Sequence, residues 1–324
     1  MKNLIEQSQF EVSNEENGNP AESELNTSCI NITSMKSNWC KVMSDDTWVI
    51  YEACLSAVAS LTLKDNSNPL GLIIIGKSGN SKTTILNMFK DLPDEMTYYT
   101  DKFTPASFLT QAMNVPRENL ENVDLIRRLP DKVFLVPDLA PLFGIKDDEL
   151  RHNLSTLTRV MDGQGLANDG GVHGHREFTE ECIFVLLGAV VKIRPTVWSV
   201  VADMGTRLLF ISMDDENEEQ VEEYLLKQLQ SANSFQDNLI ALKNDTGKFI
   251  ESIFSVNGIR NSEWKYNEGE PEILITKIAD LITSLRVKYD EELEEYEKLE
   301  SPRRVLNQLY NLARGRAIIY GRDS

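Results

Sequence analysis

Apolar residues along this chain change their spacing several times, and each change marks an expected element. After Asp45 and Asp46, the stretch TWVIYEACLSAVASL repeats apolar positions at helical spacing, which predicts a helix over about 46–62. Lys64 to Pro69 is a polar turn. Leu70 to Ile75 is almost wholly apolar and ends at glycine, the pattern of a parallel strand buried on both faces. Lys82 to Lys90 returns to a helical period. Strands are expected over 97–103 and 132–136, with Thr104-Pro105 between them capping a segment that has proline at its first helical position. A helix follows over 148–161, then a Gly-rich excursion over 163–180 holding two short polar strands. A core strand over 182–191, a helix over 196–203 and a last core strand over 207–212 complete the series. Repeated strand-then-helix alternation predicts an α/β fold with a central parallel sheet flanked by helices.

The flanks read differently. Residues 1–38 are rich in Asn, Glu and Ser with few large apolar side chains, too few to offset the cost of ordering, so a disordered acidic arm is expected there. The α/β core is assigned to 39–213. From the acidic run Asp214 to Glu223 onward, helix follows helix with no convincing strand, so a separate helical domain is assigned to 214–324. The charged run Glu291 to Glu300 reads as a solvated helix end.

Composition narrows the function. The 324 residues carry a formal charge of −18, which repels a phosphate backbone over the surface as a whole, so any contact with nucleic acid must be local. Cys29, Cys40, Cys54 and Cys182 are scattered without CxxC or Cys/His spacing and suggest neither a zinc site nor a disulfide framework. The start MKNLIEQSQF has no basic and apolar leader, and no window is long enough to cross a bilayer. A cytoplasmic protein without a membrane segment is expected.

The chemistry-bearing segment is Gly76-Lys77-Ser78-Gly79-Asn80-Ser81-Lys82-Thr83, between the apolar strand and a helix. Successive backbone N–H groups in such a loop turn toward phosphate oxygens. In this register Lys82 reaches the outer phosphates, the Thr83 hydroxyl ligates Mg²⁺, and Thr84 follows at the helix start. Gly76 and Gly79 permit the tight turn. Ser81 stands where glycine is usual and is tolerated if its φ stays negative. A second literal match, Gly71 through Lys77-Ser78, consists of the strand itself and is a decoy. The plainer alternative is a Gly/Ser turn. Asp138, at the end of the 132–136 strand, is the candidate Mg²⁺ partner, or else a loop aspartate capping the next segment. Leu139 follows it, where hydrolytic P-loop motors place a glutamate that polarises water.

With these motifs placed, the chain over about 45–324 resembles the AAA+ ATPases, most closely the minichromosome maintenance helicase branch and related phage or plasmid helicase-like ATPases. The resemblance is carried by Leu157 to Gly163 leading into Gly171-Val172-His173-Gly174-His175-Arg176, by Met204 to Phe210 around Arg207, and by Ser301-Pro302-Arg303-Arg304 with Val305, Leu306, Leu309 and Leu312. It implies an AAA+ P-loop core followed by an all-helical lid, ATP and Mg²⁺ as ligands, and a ring-forming homo-oligomer. It makes Arg207 an arginine finger acting on a neighbour's γ-phosphate, unless it pairs with a local carboxylate. It makes Arg304, or Arg303 one residue away, the sensor 2 arginine. The sensor 1 position falls on Ala189, Val190 and Val191, with Lys192 the nearest polar residue. The family lid continues beyond the equivalent of Ser324, so a fragment or shortened variant is expected.

Two functions follow. One is a nucleic-acid-dependent motor or helicase-like remodeller that contacts DNA through His173, His175 and Arg176 of the 163–180 hairpin, helped by Lys192 and Arg194; the alternative for that hairpin is an exposed, solvated loop. The other is a nucleotide-dependent switch or adaptor with weak or no hydrolysis, which Leu139 and the valines near sensor 1 favour. A small-molecule kinase is the weakest reading.

Overall fold

The computed structural model describes residues 30–170, 172–203, 205, 207–213, 226, 229, 232–264, 269–285, 288–290, 295–297 and 301–322. Five strands form one parallel sheet: β1 (Leu70–Ile75), β2 (Thr97–Tyr99), β3 (Val133–Val136), β6 (Val185–Val190) and β7 (Leu208–Ser212), in the order β2-β3-β6-β1-β7. β6 is central and β1 lies between it and the edge strand β7, with Leu70 opposite Val185 on one side and Gly71 opposite Leu208 on the other. Gly71 is in the strand for packing, since a Cβ there would lie 2.5 Å from Leu208 Cδ2.

Period-2 alternation sends neighbouring side chains into two cores. Leu72, Ile74, Leu135, Leu187 and Ala189 face one core with α2 (Asp45–Ala59) and α3 (Lys82–Asn87). Ile73, Phe134, Val136, Leu186 and Val190 face the other, covered by α6 (Asp147–Val160) and α7 (Pro195–Asp203). Short helices α4 (Leu120–Val123) and α5 (Ala140–Phe143) edge the second core, and β4 (Leu166–Gly170) pairs antiparallel with β5 (Gly174–Phe178) as the expected hairpin.

Three expectations are corrected. Residues 32–38 are not an arm: they belong to α1 (Ile32–Val42), which Asn31 and Ser34 close with a reciprocal capping box. Met35 and Trp39 of α1 are fully buried, and Trp39 stacks on Tyr51 at 4.1 Å between centroids. Residues 1–29 lie outside the described part. The region after 213 also contains strand: β8 (Lys288–Asp290) pairs antiparallel with β9 (Glu295–Glu297), so part of the Glu291–Glu300 run is a ribbon rather than a helix end. Most of that run, and the 214–223 acidic run, fall outside the described residues. The 97–103 strand is confined to Thr97–Tyr99. Among the described residues no helix is long and apolar enough to cross a membrane.

The C-terminal helices α8 (Ala232–Asn257), α9 (Glu270–Ser284) and α10 (Arg303–Ile319) lie on the α2 side of the sheet. α10 reaches the α2 backbone because residue 315 is glycine: a Cβ would stand 2.0 Å from Ser56 O and 3.1 Å from Ser60 N. The interface around it is polar. Asn311 Nδ2 donates to Asn66 Oδ1 at 2.9 Å, Arg314 Nη1 bridges both Asp65 oxygens at 2.8 Å, and Arg316 Nε donates to Glu52 Oε1 at 2.7 Å. Gly315→Ala must push α10 off α2. It is expected to lower stability by roughly 1–3 kcal/mol, the usual cost of overpacking, read as a reduced thermal midpoint; an unchanged midpoint would refute the close approach.

Candidate functional site: a glycine-containing loop and two arginines on opposite sheet edges

Because every strand of the sheet is parallel, the residues after β1, β3, β6 and β7 emerge on one edge. There Gly76, Asp138, Val191 and Met213 follow their strands, and the loop 76–81 leads into α3. A cleft of about 520 Å³ opens at this edge, within the range of small-molecule sites. Its floor is Ser78, Gly79, Ser81, Lys82, Thr83 and Thr84; one wall is Pro137, Asp138, Ala140 and Ala189 to Val191; the other residues lining it are Met43 and Phe235.

Lys82 is 8 % exposed, and its Nζ donates to the carbonyls of Gly76 at 2.7 Å and Lys77 at 2.5 Å, so the ammonium sits inside the concavity of the loop. Desolvation lowers its pKa and the Asp138 charge opposes that shift, which places the two groups within electrostatic reach. Lys77, the lysine of the alternative register, is exposed at the outside of the loop. Gly79 takes φ +93° as a glycine can. Ser81 departs from expectation: its φ is +56°, in the left-handed region, where a side chain costs roughly 1–2 kcal/mol. The loop is held in that shape by its surroundings, and strain of this kind gathers at ligand clamps.

Asp138 does two things at once. Its Oδ1 accepts the Ala140 N–H at 2.9 Å, the capping role, while the residue lines the cleft opposite Lys82 and Thr83. Leu139 turns the other way. It is 1 % exposed, its N–H donates to Ala189 O at 2.8 Å, and its side chain lies over Gly188, where a Cβ would stand 2.5 Å from Leu139 Cδ1. The β6 end presents only Ala189, Val190 and Val191 to the cleft; Lys192 is exposed and is not part of the lining.

Arg207 and Arg304 are brought together, but at the opposite edge of the sheet. Arg207 precedes β7, beside Gly71 at the start of β1, about 20 Å from the 76–81 loop by strand rise. Its Nε donates to Asp162 Oδ1 at 3.3 Å, and Arg304 Nη2 approaches the same oxygen at 3.8 Å. The local carboxylate pairing weighed for Arg207 is thus present. Gln308 of α10 donates to Arg207 O at 2.8 Å. Arg303 is exposed on the outside of the same helix turn. Neither Arg207 nor Arg304 lines its own chain's cleft.

The hairpin cations are largely committed. Arg176 is 9 % exposed and forms a two-pronged pair with the fully buried Asp124, Nη2 to Oδ2 at 2.6 Å and Nη1 to Oδ1 at 3.2 Å, while also donating to Thr110 O. This corrects its assignment as a nucleic-acid contact, because the guanidinium faces inward. His173 Nε2 lies 3.0 Å from Ala112 O. His175 is exposed but bracketed by Asp169 at 3.0 Å and Glu177 at 3.5 Å, which raise its pKa. Arg194 Nη2 donates to the carbonyls of Phe143 and Ile145. Met43 and Phe235, which line the cleft, carry no motif; only packing of α1 and α8 against the core brings them there.

Arg176→Ala leaves the buried Asp124 without its two-pronged partner, only the Thr110 N–H at 2.9 Å and the more distant Arg127 Nε at 3.8 Å remaining, and is expected to cost about 3–5 kcal/mol in urea denaturation, whereas His175→Ala at the surface should stay within about 0.5 kcal/mol. Equal midpoints for the two variants would refute the structural role of Arg176.

Set against models of known protein families the chain matches none, and no curated protein is significantly similar to it.

Proposed function

We propose that this chain is an ATP-binding protein of the AAA+ type, holding ATP·Mg²⁺ in the cleft and acting as a nucleotide-dependent switch with slow turnover. The observation that carries this is the buried Lys82 ammonium inside the loop concavity, beside Thr83 and opposite Asp138 in the cleft. Backbone N–H groups of Gly79, Ser81 and Thr84 would surround the phosphates, while those of Gly76 and Asn80 donate to Val190 O and Lys77 O; Lys82 would pair with the outer phosphates, and Thr83 with Asp138 would hold the metal.

Slow turnover is favoured by two features. The position for a water-polarising glutamate is Leu139, turned into the core over Gly188, and the β6 end offers apolar side chains to the cleft. Any charge stabilisation from arginine must come from a second copy, since Arg207 and Arg304 stand on the far edge; a homo-oligomer whose sites lie between subunits accommodates them. That arrangement also supports the motor reading. DNA contact through the hairpin is the weaker part of it, with Arg176 buried and His175 set between carboxylates.

ATP binding and turnover by purified protein, with and without single-stranded and duplex DNA, test the proposal. Lys82→Ala is expected to weaken ATP binding about ten- to a hundred-fold, the loss of a charge-assisted hydrogen bond, and Lys77→Ala to leave it nearly unchanged. Arg207→Ala is expected to retain binding and lose the residual turnover. Turnover that DNA raises strongly would replace the switch with the motor, and a dominant effect of Lys77→Ala would restore the decoy register.

A further inference from the structure

α9 packs on α10 with small side chains and keeps its large ones in water. Ala279 and Thr283 are its buried residues, Thr283 Oγ1 donating back to Ala279 O at 3.1 Å. By the helical repeat, Leu274, Ile278, Leu281 and the C-cap Leu285 lie on the opposite side, and they are 58, 38, 57 and 76 % exposed. Their spacing of four, three and four residues is that of a coiled-coil seam, and it reads the same from either end of the helix. We propose that this face docks α9 of a second copy of the chain, the two helices running antiparallel, with Leu274 against Leu285 and Ile278 against Leu281.

The stripe is complementary to itself. A two-fold axis crossing between Ala279 and Asp280 brings every one of its apolar side chains onto one from the other copy, which is what an isologous interface requires. Charge favours the same direction. Glu270 and Glu272 lie in the first turn, and Arg286 and Lys288 follow the last turn in the chain, so antiparallel helices set acid toward base at both ends, whereas parallel helices set four glutamates together. Opposite ends of the two helix dipoles also meet. The four side chains leave roughly 400 Å² of apolar surface in water, the size at which an exposed patch marks an interaction site. Two copies cover roughly 800 Å², before the flanking Glu270, Lys277 and Ser284 are added, which is the low end of specific interfaces and fits a weak, reversible dimer. The pairing uses neither the cleft nor Arg207, so it does not depend on the nucleotide reading.

The test is sedimentation equilibrium of the full chain in nucleotide-free buffer. The wild type is expected to dimerise with a dissociation constant on the order of 10–100 μM. Ile278→Lys and Leu281→Glu, each alone, are expected to weaken the dimer about tenfold or more, because either sets a charge against an apolar side chain at two symmetric contacts. An equimolar mixture of the two variants is expected to recover the dimer, since the new ammonium and the new carboxylate then face each other at one contact while Ile278 meets Leu281 at the other. A wild type that stays monomeric over this range overturns the proposal and leaves the stripe to a helix of another protein. Dimers that persist in both variants overturn it as well, because the contact then lies elsewhere. Absence of recovery on mixing overturns the antiparallel register and the proposal with it. So does a loss of helical circular dichroism in either variant, because the side chain then serves the fold of the single chain.

Discussion

The pairing of β1 with β6 on one side and β7 on the other, all parallel, governs what this molecule can do. A parallel sheet needs cover on both faces, so helices occupy the faces and only the two strand edges are open to chemistry. The strand ends then sort the polar residues by position in the chain. Whatever follows a strand gathers at one edge and whatever precedes one gathers at the other. Lys82, Thr83 and Asp138 share the first edge; Asp65, Asn66, Arg207 and Glu181 share the second. The separation of the 76–81 loop from the arginine pair is a property of the topology rather than of any single side chain.

The second edge is where the C-terminal helices take hold, and they do so through directional contacts. Asn66 is the hub. Its side chain accepts from Asn311 and donates to Ser60 O, and its carbonyl accepts from Arg260, which also pairs with Glu181 at 2.6 Å. A helix seated on such partners has one good position, because sliding it would strand buried polar groups. The Gly315 contact adds a steric limit to the same seat. Movement of α10 would therefore be an exchange of whole hydrogen-bond sets rather than a gradual shift.

Much of the fold was legible in the sequence because its strands are short apolar runs ending in glycine or polar residues: β1 matches its expected bounds, and β3, β6 and β7 lie inside theirs. The loop 76–81 lies between β1 and α3, where the same strand placed it. α1 was hidden by averaging, since Ile32, Met35 and Trp39 are spaced for a helix but sit among polar residues, and the composition of 1–38 outweighed them. Arg176 was misread because its partner Asp124 is 52 residues away, and Arg207 has its carboxylate 45 residues away; a local scan sees the cation and not the anion. Ser81 could not have been read correctly from residue type, because left-handed backbone at a serine is imposed by the loop around it. Met43 and Phe235 meet the cleft through tertiary packing, for which no spacing rule exists.

The contact between α2 and α10 also bears on how the chain acquires its structure. Glu52 and Arg316 are 264 residues apart, and Asp65 and Arg314 are 249 apart, yet both pairs close the same layer. During synthesis α2 emerges early, and its backbone at Ser56 stays uncovered until α10 has been made. Contacts of such long range form late, after the loops between them are closed. The sheet with its 76–81 loop must therefore wait, partly wrapped, for a helix encoded some 250 residues later, and a ribosome stalled before α10 would present an α/β core with one side open.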